Sequence, residues 1–253
     1  MKPDEFKLCG LAAVKARFAR DAGSIKRLYF DYATGRKIGV MCKALAAAKK
    51  TYRCVEPAEL EKIAGSIHHG GIVAVVDAPL LHAPLPADIA AWARRREPLL
   101  LLDHVGNAHN LGALARTAAF FGVPRIVVPN HPEAALPGAA AFRVAKGGLE
   151  AVEVLRVPDL AKFARELAAA GFEVVGAAVQ GAAALCPREG KKENGKGRPV
   201  ALVLGSEEHG LSGAMAAACT RLATIPGSGK VESLNVSAAG AVLMWELLAR
   251  RAQ

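Results

Sequence analysis

Four short runs of this chain are apolar along almost their whole length: LLLL (99–102), RIVVP (125–129), FEVVGAAV (172–179) and VALVLG (200–205). A strand with one face in water alternates apolar and polar side chains, so runs of this kind read as strands covered on both faces. Segments of helical periodicity, over 111–121 and 159–170, alternate with them. Doubly buried strands alternating with helices predict a parallel sheet layered between helices, the α/β class. Such sheets hold ligands at the carboxyl ends of their strands, where turns expose main-chain N–H and C=O groups.

The front of the chain has a different texture. A helical pattern from Leu11 to Arg20 precedes a strand at Ile25 to Phe30, a helix at Val40 to Lys50, a short strand at Thr51 to Val55 and a helix opened by Glu56-Pro57. Proline is tolerated in a first helical turn. His68-His69-Gly70-Gly71 then turns into a buried strand, Ile72 to Val76. Residues 1–76 thus read as a smaller α/β domain. Residues 77–97, with four nearby prolines and an arginine triplet at 94–96, read as a linker carrying a short helix around Ile89 to Arg95. Residues 98–253 form the larger domain.

Charge is unequal between the halves. Residues 1–97 carry 17 Lys/Arg against 10 Asp/Glu, and the remainder 16 against 13. A basic front half suits a polyanion, because each phosphate neutralised releases counterions; it also suits plain solubility. No apolar run reaches the roughly 18 residues of a membrane span, and the N-terminus lacks a signal-peptide pattern. Five cysteines without a CxxC pair point to reduced thiols rather than disulfides or structural zinc. A cytoplasmic protein with no membrane and no metal is the expectation.

Three segments carry the chemistry: DHVGNAHNLGALARTA (103–118), LVLGSEEHGLS (202–212) and IPGSGKVESLNVS (225–237). Together, and in this order, they resemble the three motifs of the SpoU (TrmH-like) branch of the SPOUT methyltransferases, and SLNVS (233–237) is the most specific part of the match. The resemblance covers 98–253 well. Residues 1–76 resemble, more weakly, the ribosomal-protein-like substrate-binding domain that precedes many such catalytic domains.

The resemblance implies a mostly parallel sheet with a deep trefoil knot, and a homodimer formed through the C-terminal domain with each site drawing groups from both subunits. It also implies S-adenosylmethionine as cofactor and a ribose 2′-hydroxyl of transfer or ribosomal RNA as acceptor. The positions matching the reaction centre are Asn110, Arg116, Glu207, Ser233 and Asn235. Leu204, Gly205, Ile225, Gly227, Ser233 and Leu234 match the cofactor pocket, and their apolar and glycine character suits an adenosine that asks for shape and main-chain hydrogen bonds.

Each residue has a plainer reading beside this one. Asn110 stands where it would cap a helix beginning near Leu111. Arg116 could serve an exposed ion pair, Glu207 could sit at a favourable helix N-terminus, and Ser233 or Asn235 could cap the apolar helix from Val236, which ends in Arg250 and Arg251. Arginine keeps its proton near neutrality. The role expected of Arg116 is therefore to grip the phosphate beside the acceptor ribose and stabilise the developing alkoxide, while a phosphate oxygen or water takes the proton.

The chain departs from the family pattern at Gly227, often methionine, and at Ala145-Lys146-Gly147-Gly148, where Lys146 either touches RNA or is merely solvated. The basic loop at 187–199 is a further candidate RNA contact. GSGK (227–230) lacks the outer glycine and the Ser/Thr of a P-loop. No histidine has metal-ligand spacing, and no hydrolase motif is present. Two rivals remain: a catalytically inactive RNA-binding scaffold with this domain, and methyl transfer to a base nitrogen. The complete set of five motif residues speaks against the first, and the Asn110/Arg116 pair against the second.

Overall fold

A computed structural model describes residues 5–179, 183–184 and 197–248. The chain begins with β1 (Glu5–Cys9), α1 (Leu11–Asp21), β2 (Arg27–Phe30), α2 (Tyr32–Gly35), α3 (Gly39–Ala47), β3 (Thr51–Cys54), α4 (Pro57–Ala64) and β4 (Ile72–Asp77). These strands form one four-stranded mixed sheet in the order β1-β4-β2-β3, in which only β2 and β3 are parallel. The opening strand β1 was not expected. Its alternation of charged and apolar residues is the half-buried pattern, and it pairs antiparallel with β4 from Glu5–Asp77 to Cys9–Val73.

The second sheet begins after α5 (Pro86–Arg95). It takes in β5 (Leu99–Leu102), α6 (Ala108–Phe120), β6 (Arg125–Pro129), α7 (Ala139–Ala145), α8 (Gly148–Ala151), β7 (Glu153–Val157), α9 (Leu160–Ala169) and β8 (Glu173–Ala177). Then come the two-residue β9 (Ala183–Ala184), β10 (Val200–Leu204), α10 (Gly213–Ala218), β11 (Arg221–Thr224) and α11 (Val236–Leu247). The order is β7-β6-β5-β10-β8-β11-β9, and every pairing is parallel. All five side chains of β10 and all four of β5 are buried, as the doubly covered pattern requires.

The helix expected around Ile89 to Arg95 is α5. It buries Ile89 and Trp92 beneath the larger sheet, and the Arg125 guanidinium lies 4.5 Å from the Trp92 ring centre.

A single apolar cluster runs from Leu8, Val14 and Leu28 of the first sheet's layer to Ala115, Phe142 and Leu149 of the second. Phe6 and Phe142 touch across the junction with ring centres 5.2 Å apart. A buried ion pair pins the same junction. Arg17 Nε of α1 donates to Glu150 Oε1 of α8 at 2.9 Å, and Arg20 donates to the Glu150 carbonyl at 3.2 Å. Close packing carries this contact inward: a Cβ on Gly148 would lie 2.7 Å from the Cα of Arg116.

No helix among the described residues is long and apolar enough to cross a membrane. Arg250, Arg251 and most of the 187–199 loop lie outside the described residues.

Candidate active site at the carboxyl ends of β5 and β10

β5 and β10 are parallel neighbours, Leu102 opposite Leu204, so the turns that follow them emerge side by side. Asp103 ties these turns together. Its main-chain N–H donates to the Leu204 carbonyl at 2.8 Å, and its buried carboxylate accepts from Ser212 N at 2.7 Å and lies 2.8 Å from His104 Nδ1. A carboxylate that is 2 % exposed persists only when its oxygens are paired. Asp103 is not among the residues the motifs single out; an acidic residue closing four leucines is the one signal the sequence offers for it. The neighbouring Cys219 thiol is pushed up to about 11 by burial, with Asp103 adding to the effect, which makes it unreactive.

The turn after β10 is closed by reciprocal main-chain hydrogen bonds between Ser206 and Gly210, each 3.0 Å. A Cβ on Gly205 would fall 2.2 Å from the Gly210 carbonyl carbon, so no larger residue fits. This turn presents Glu207. Glu207 Oε1 accepts from Asn235 Nδ2 and from Val236 N, the latter at 3.4 Å. Asn235 Nδ2 also donates to Asn110 Oδ1 at 3.3 Å, while Asn235 Oδ1 accepts from Ser237 N at 3.0 Å and caps α11. Three of the five expected reaction-centre residues, drawn from all three motifs, thus share one hydrogen-bonded cluster.

The expectation that Asn110 caps its helix is corrected. Asn107 is the cap, accepting from His109 N at 2.8 Å, and the helix starts at Ala108. Asn110 lies within the first turn, buried, with its side chain turned to Asn235.

Arg116 is not part of this cluster. Six residues beyond Asn110, it lies about 9 Å further along α6 and about 240° around it. There it is exposed, makes no hydrogen bond or ion pair among the described residues, and lines a cleft with Lys146. Ser233 is exposed and likewise without a partner among them.

The residues expected to line a cofactor pocket divide in two. The Leu204 side chain is sealed beneath α11, where a Cβ on Gly240 would meet it at 2.9 Å, and its carbonyl is taken by Asp103. Ile225 is partly buried, Leu234 is 48 % exposed, and nothing lies within 4 Å of a Cβ built on Gly227. Among the described residues, the only hydrogen bond donated by the main chain from 227 to 234 is Lys230 N to Ser228 Oγ at 3.4 Å. An open main chain beside an apolar wall fits an adenosine and its amino-acid tail. No group of three His, Cys, Asp or Glu able to hold a metal occurs among the described residues.

Comparison with known proteins shows the family. Residues 97–245 match the model of the SpoU rRNA Methylase family, and residues 7–81 match that of the RNA 2'-O ribose methyltransferase substrate binding family. The chain is 36 % identical over 248 residues to the 23S rRNA (guanosine-2'-O-)-methyltransferase RlmB of Ralstonia nicotianae, covering 96 % of this chain and 95 % of that protein. It is 33 % identical to the enzyme of the same name from Nitrosomonas europaea, covering 96 % and 91 %. An AdoMet-bound rRNA methyltransferase from Sinorhizobium meliloti superposes with a TM-score of 0.75 at 24 % identity, covering 98 % of this chain and 88 % of that one, a likeness of fold.

Proposed function

The chain belongs to the SpoU rRNA methylase family and is an RNA ribose 2′-O-methyltransferase that uses S-adenosylmethionine; we propose that its acceptor is ribosomal RNA and that its sites are shared between two subunits. The observation that carries the site assignment is the Asn110–Asn235–Glu207 cluster, which fastens all three motifs at one sheet edge.

S-adenosylmethionine, when bound, supplies an electrophilic methyl group on a sulfonium. Leu234, Ile225 and the open main chain at 227–234 are the groups that would hold it. Gly205 shapes the adjoining turn, and Asn235 and Glu207 fix the entry to α11. Arg116 binds the phosphate beside the acceptor ribose and stabilises negative charge on the 2′-oxygen as its proton passes to a phosphate oxygen or water. Holding acceptor and donor in line supplies most of the acceleration.

The position of Arg116 supports a shared site, because it faces away from the cluster of its own subunit. Beside it lies an apolar stripe, with Ala238, Ala241, Val242 and Trp245 at helical spacing on α11 and Phe120 and Phe121 at the end of α6. Phe120 is 83 % exposed in the single chain. A second copy covering this stripe would bring Arg116 to the neighbouring cluster.

We place the division between an RNA-recruiting domain and the catalytic domain within 77–97, and assign a trefoil knot to the C-terminal segment, which returns to pack α11 on α6 and β10. On the first domain, Tyr32, Arg36, Lys37 and Lys43 are each exposed, a basic and aromatic set of groups suited to RNA. The cytoplasm, where ribosomal RNA is assembled, is the compartment.

The test is methyl transfer from labelled S-adenosylmethionine to ribosomal RNA from cells lacking this gene, followed by nucleoside mass spectrometry. A 2′-O-methylated nucleoside is expected. A base-methylated product, or no transfer despite cofactor binding, overturns the reading.

A further inference from the structure

A cleft of about 630 Å³ opens where α1, the C-terminal half of α6 and the α7–α8 turn meet. One wall, with Phe120, Phe121 and Ala241, belongs to the apolar stripe assigned to the subunit contact. The other is built by Ala16, Lys146 and Gly147, with Arg116 between them. Both cations are exposed, and neither has a hydrogen bond or ion pair among the described residues. Their neighbours Arg17 and Arg20, by contrast, are engaged with Glu150.

Lys146 ends α7 in the left-handed region, φ 50°, and Gly147 follows at φ 99°. Gly147 and Gly148 are required by close approach, since a Cβ on either would come within 2.9 Å of Ala16 or of Arg116. Glycine would suit position 146 better than any side chain, because only glycine takes this conformation without a steric penalty. What lysine adds there is its ammonium group, delivered to the cleft that Arg116 occupies.

We infer that Lys146 is a second RNA-binding cation of the site: it grips a backbone phosphate of the acceptor strand next to the one held by Arg116, and so positions the ribose. Two unpaired cations in one cleft, at the junction with the RNA-recruiting sheet, are what a phosphodiester strand crossing that junction requires. The assignment rests on the RNA methyltransferase reading, and it makes Lys146 a positioning residue.

The experiment compares Lys146→Gly and Lys146→Arg with the wild type, reading KM and kcat for RNA over a range of salt and, independently of turnover, RNA affinity by fluorescence anisotropy. Lys146→Gly keeps the backbone geometry, so its melting temperature and S-adenosylmethionine affinity should not fall. Its RNA affinity should drop about tenfold, with the loss in kcat/KM carried mainly by KM, and the salt slope of log affinity should shrink by about one. Lys146→Arg should restore both. Wild-type affinity and slope in Lys146→Gly, or an arginine variant no better than the glycine one, overturns the inference. Absence of methyl transfer by the wild type would instead strike the reading beneath it, while the anisotropy measurement still decides on Lys146.

Discussion

Replacing Glu150 by alanine removes the counterion of an arginine that has almost no access to water. The Glu150 side chain is 2 % exposed and that of Arg17 16 %. Deleting one partner of a buried pair costs about 3–5 kcal/mol, chiefly because the other charge is left uncompensated. The lower end applies here. Glu150 Oε2 is buried without a hydrogen bond, Arg20 approaches it only to 3.6 Å, and the Arg20 side chain is 58 % exposed and free to turn to solvent. A loss of about 3 kcal/mol in a chain of this size lowers the melting temperature by about 6–12 °C, readable by scanning calorimetry.

The pair itself is a poor source of net stability, so Arg17→Met with Glu150→Met should recover more than half of that loss. The pH dependence has a definite sign. Burial, outweighing the pull of Arg17 and Arg20, raises the Glu150 carboxyl above its ordinary range. Only between the ordinary pKa and the raised one does the folded chain hold a proton that the unfolded chain has released. The stability this contributes is present at low pH and is lost as pH rises through the raised pKa; Glu150→Gln should abolish that slope. A melting temperature within about 2 °C of wild type for Glu150→Ala, or a double variant whose cost is the sum of the singles, refutes the reasoning.

Four further outcomes are expected. Gly205→Ala should abolish S-adenosylmethionine binding in isothermal titration while the circular dichroism of the sheet persists, because its Cβ would collide with Gly210 at 2.2 Å; unaltered binding removes the turn from the pocket. Asn235→Ala should lose the α11 cap, at about 1 kcal/mol, and weaken cofactor binding at least tenfold by freeing Glu207 from its contact. Phe120→Glu combined with Trp245→Glu should give monomers in analytical ultracentrifugation and no turnover. Co-expressed Arg116→Ala and Asn235→Ala chains should regain activity that neither homodimer has, and no complementation means that each subunit works alone.

The sequence made the sheet legible through one physical signature: strands covered on both faces show unbroken apolar runs, as in β5 and β10. It hid β1, whose charged and apolar residues alternate at a terminus where nothing else pointed to pairing. Of the residues the motifs named, the fold brings Asn110, Glu207 and Asn235 together and leaves Arg116 and Ser233 apart. Spacing along the chain shows that Asn110 and Arg116 share a helix, yet only the rotation per residue separates their directions. Spacing alone also made Asn110 the cap, when Asn107 lies one turn earlier and does that work. Asp103 escaped notice because its importance lies in bonds to Ser212 and Leu204, more than a hundred positions away. The left-handed backbone at Lys146 leaves no trace in composition, since lysine is the last residue such a conformation would suggest.

The placement of β10 has a consequence for how the molecule is made. It fills the gap between β5 and β8, but a ribosome delivers it about a hundred residues after β5. Until then the nascent chain carries two naked strand margins facing each other across an empty lane, the arrangement most open to mispairing with a neighbour. The first sheet has all four of its strands by residue 77, although its packing against α7 and α8 comes later. In every round of translation, the pairings of the first sheet are therefore all available well before the turns after β5 and β10 can meet.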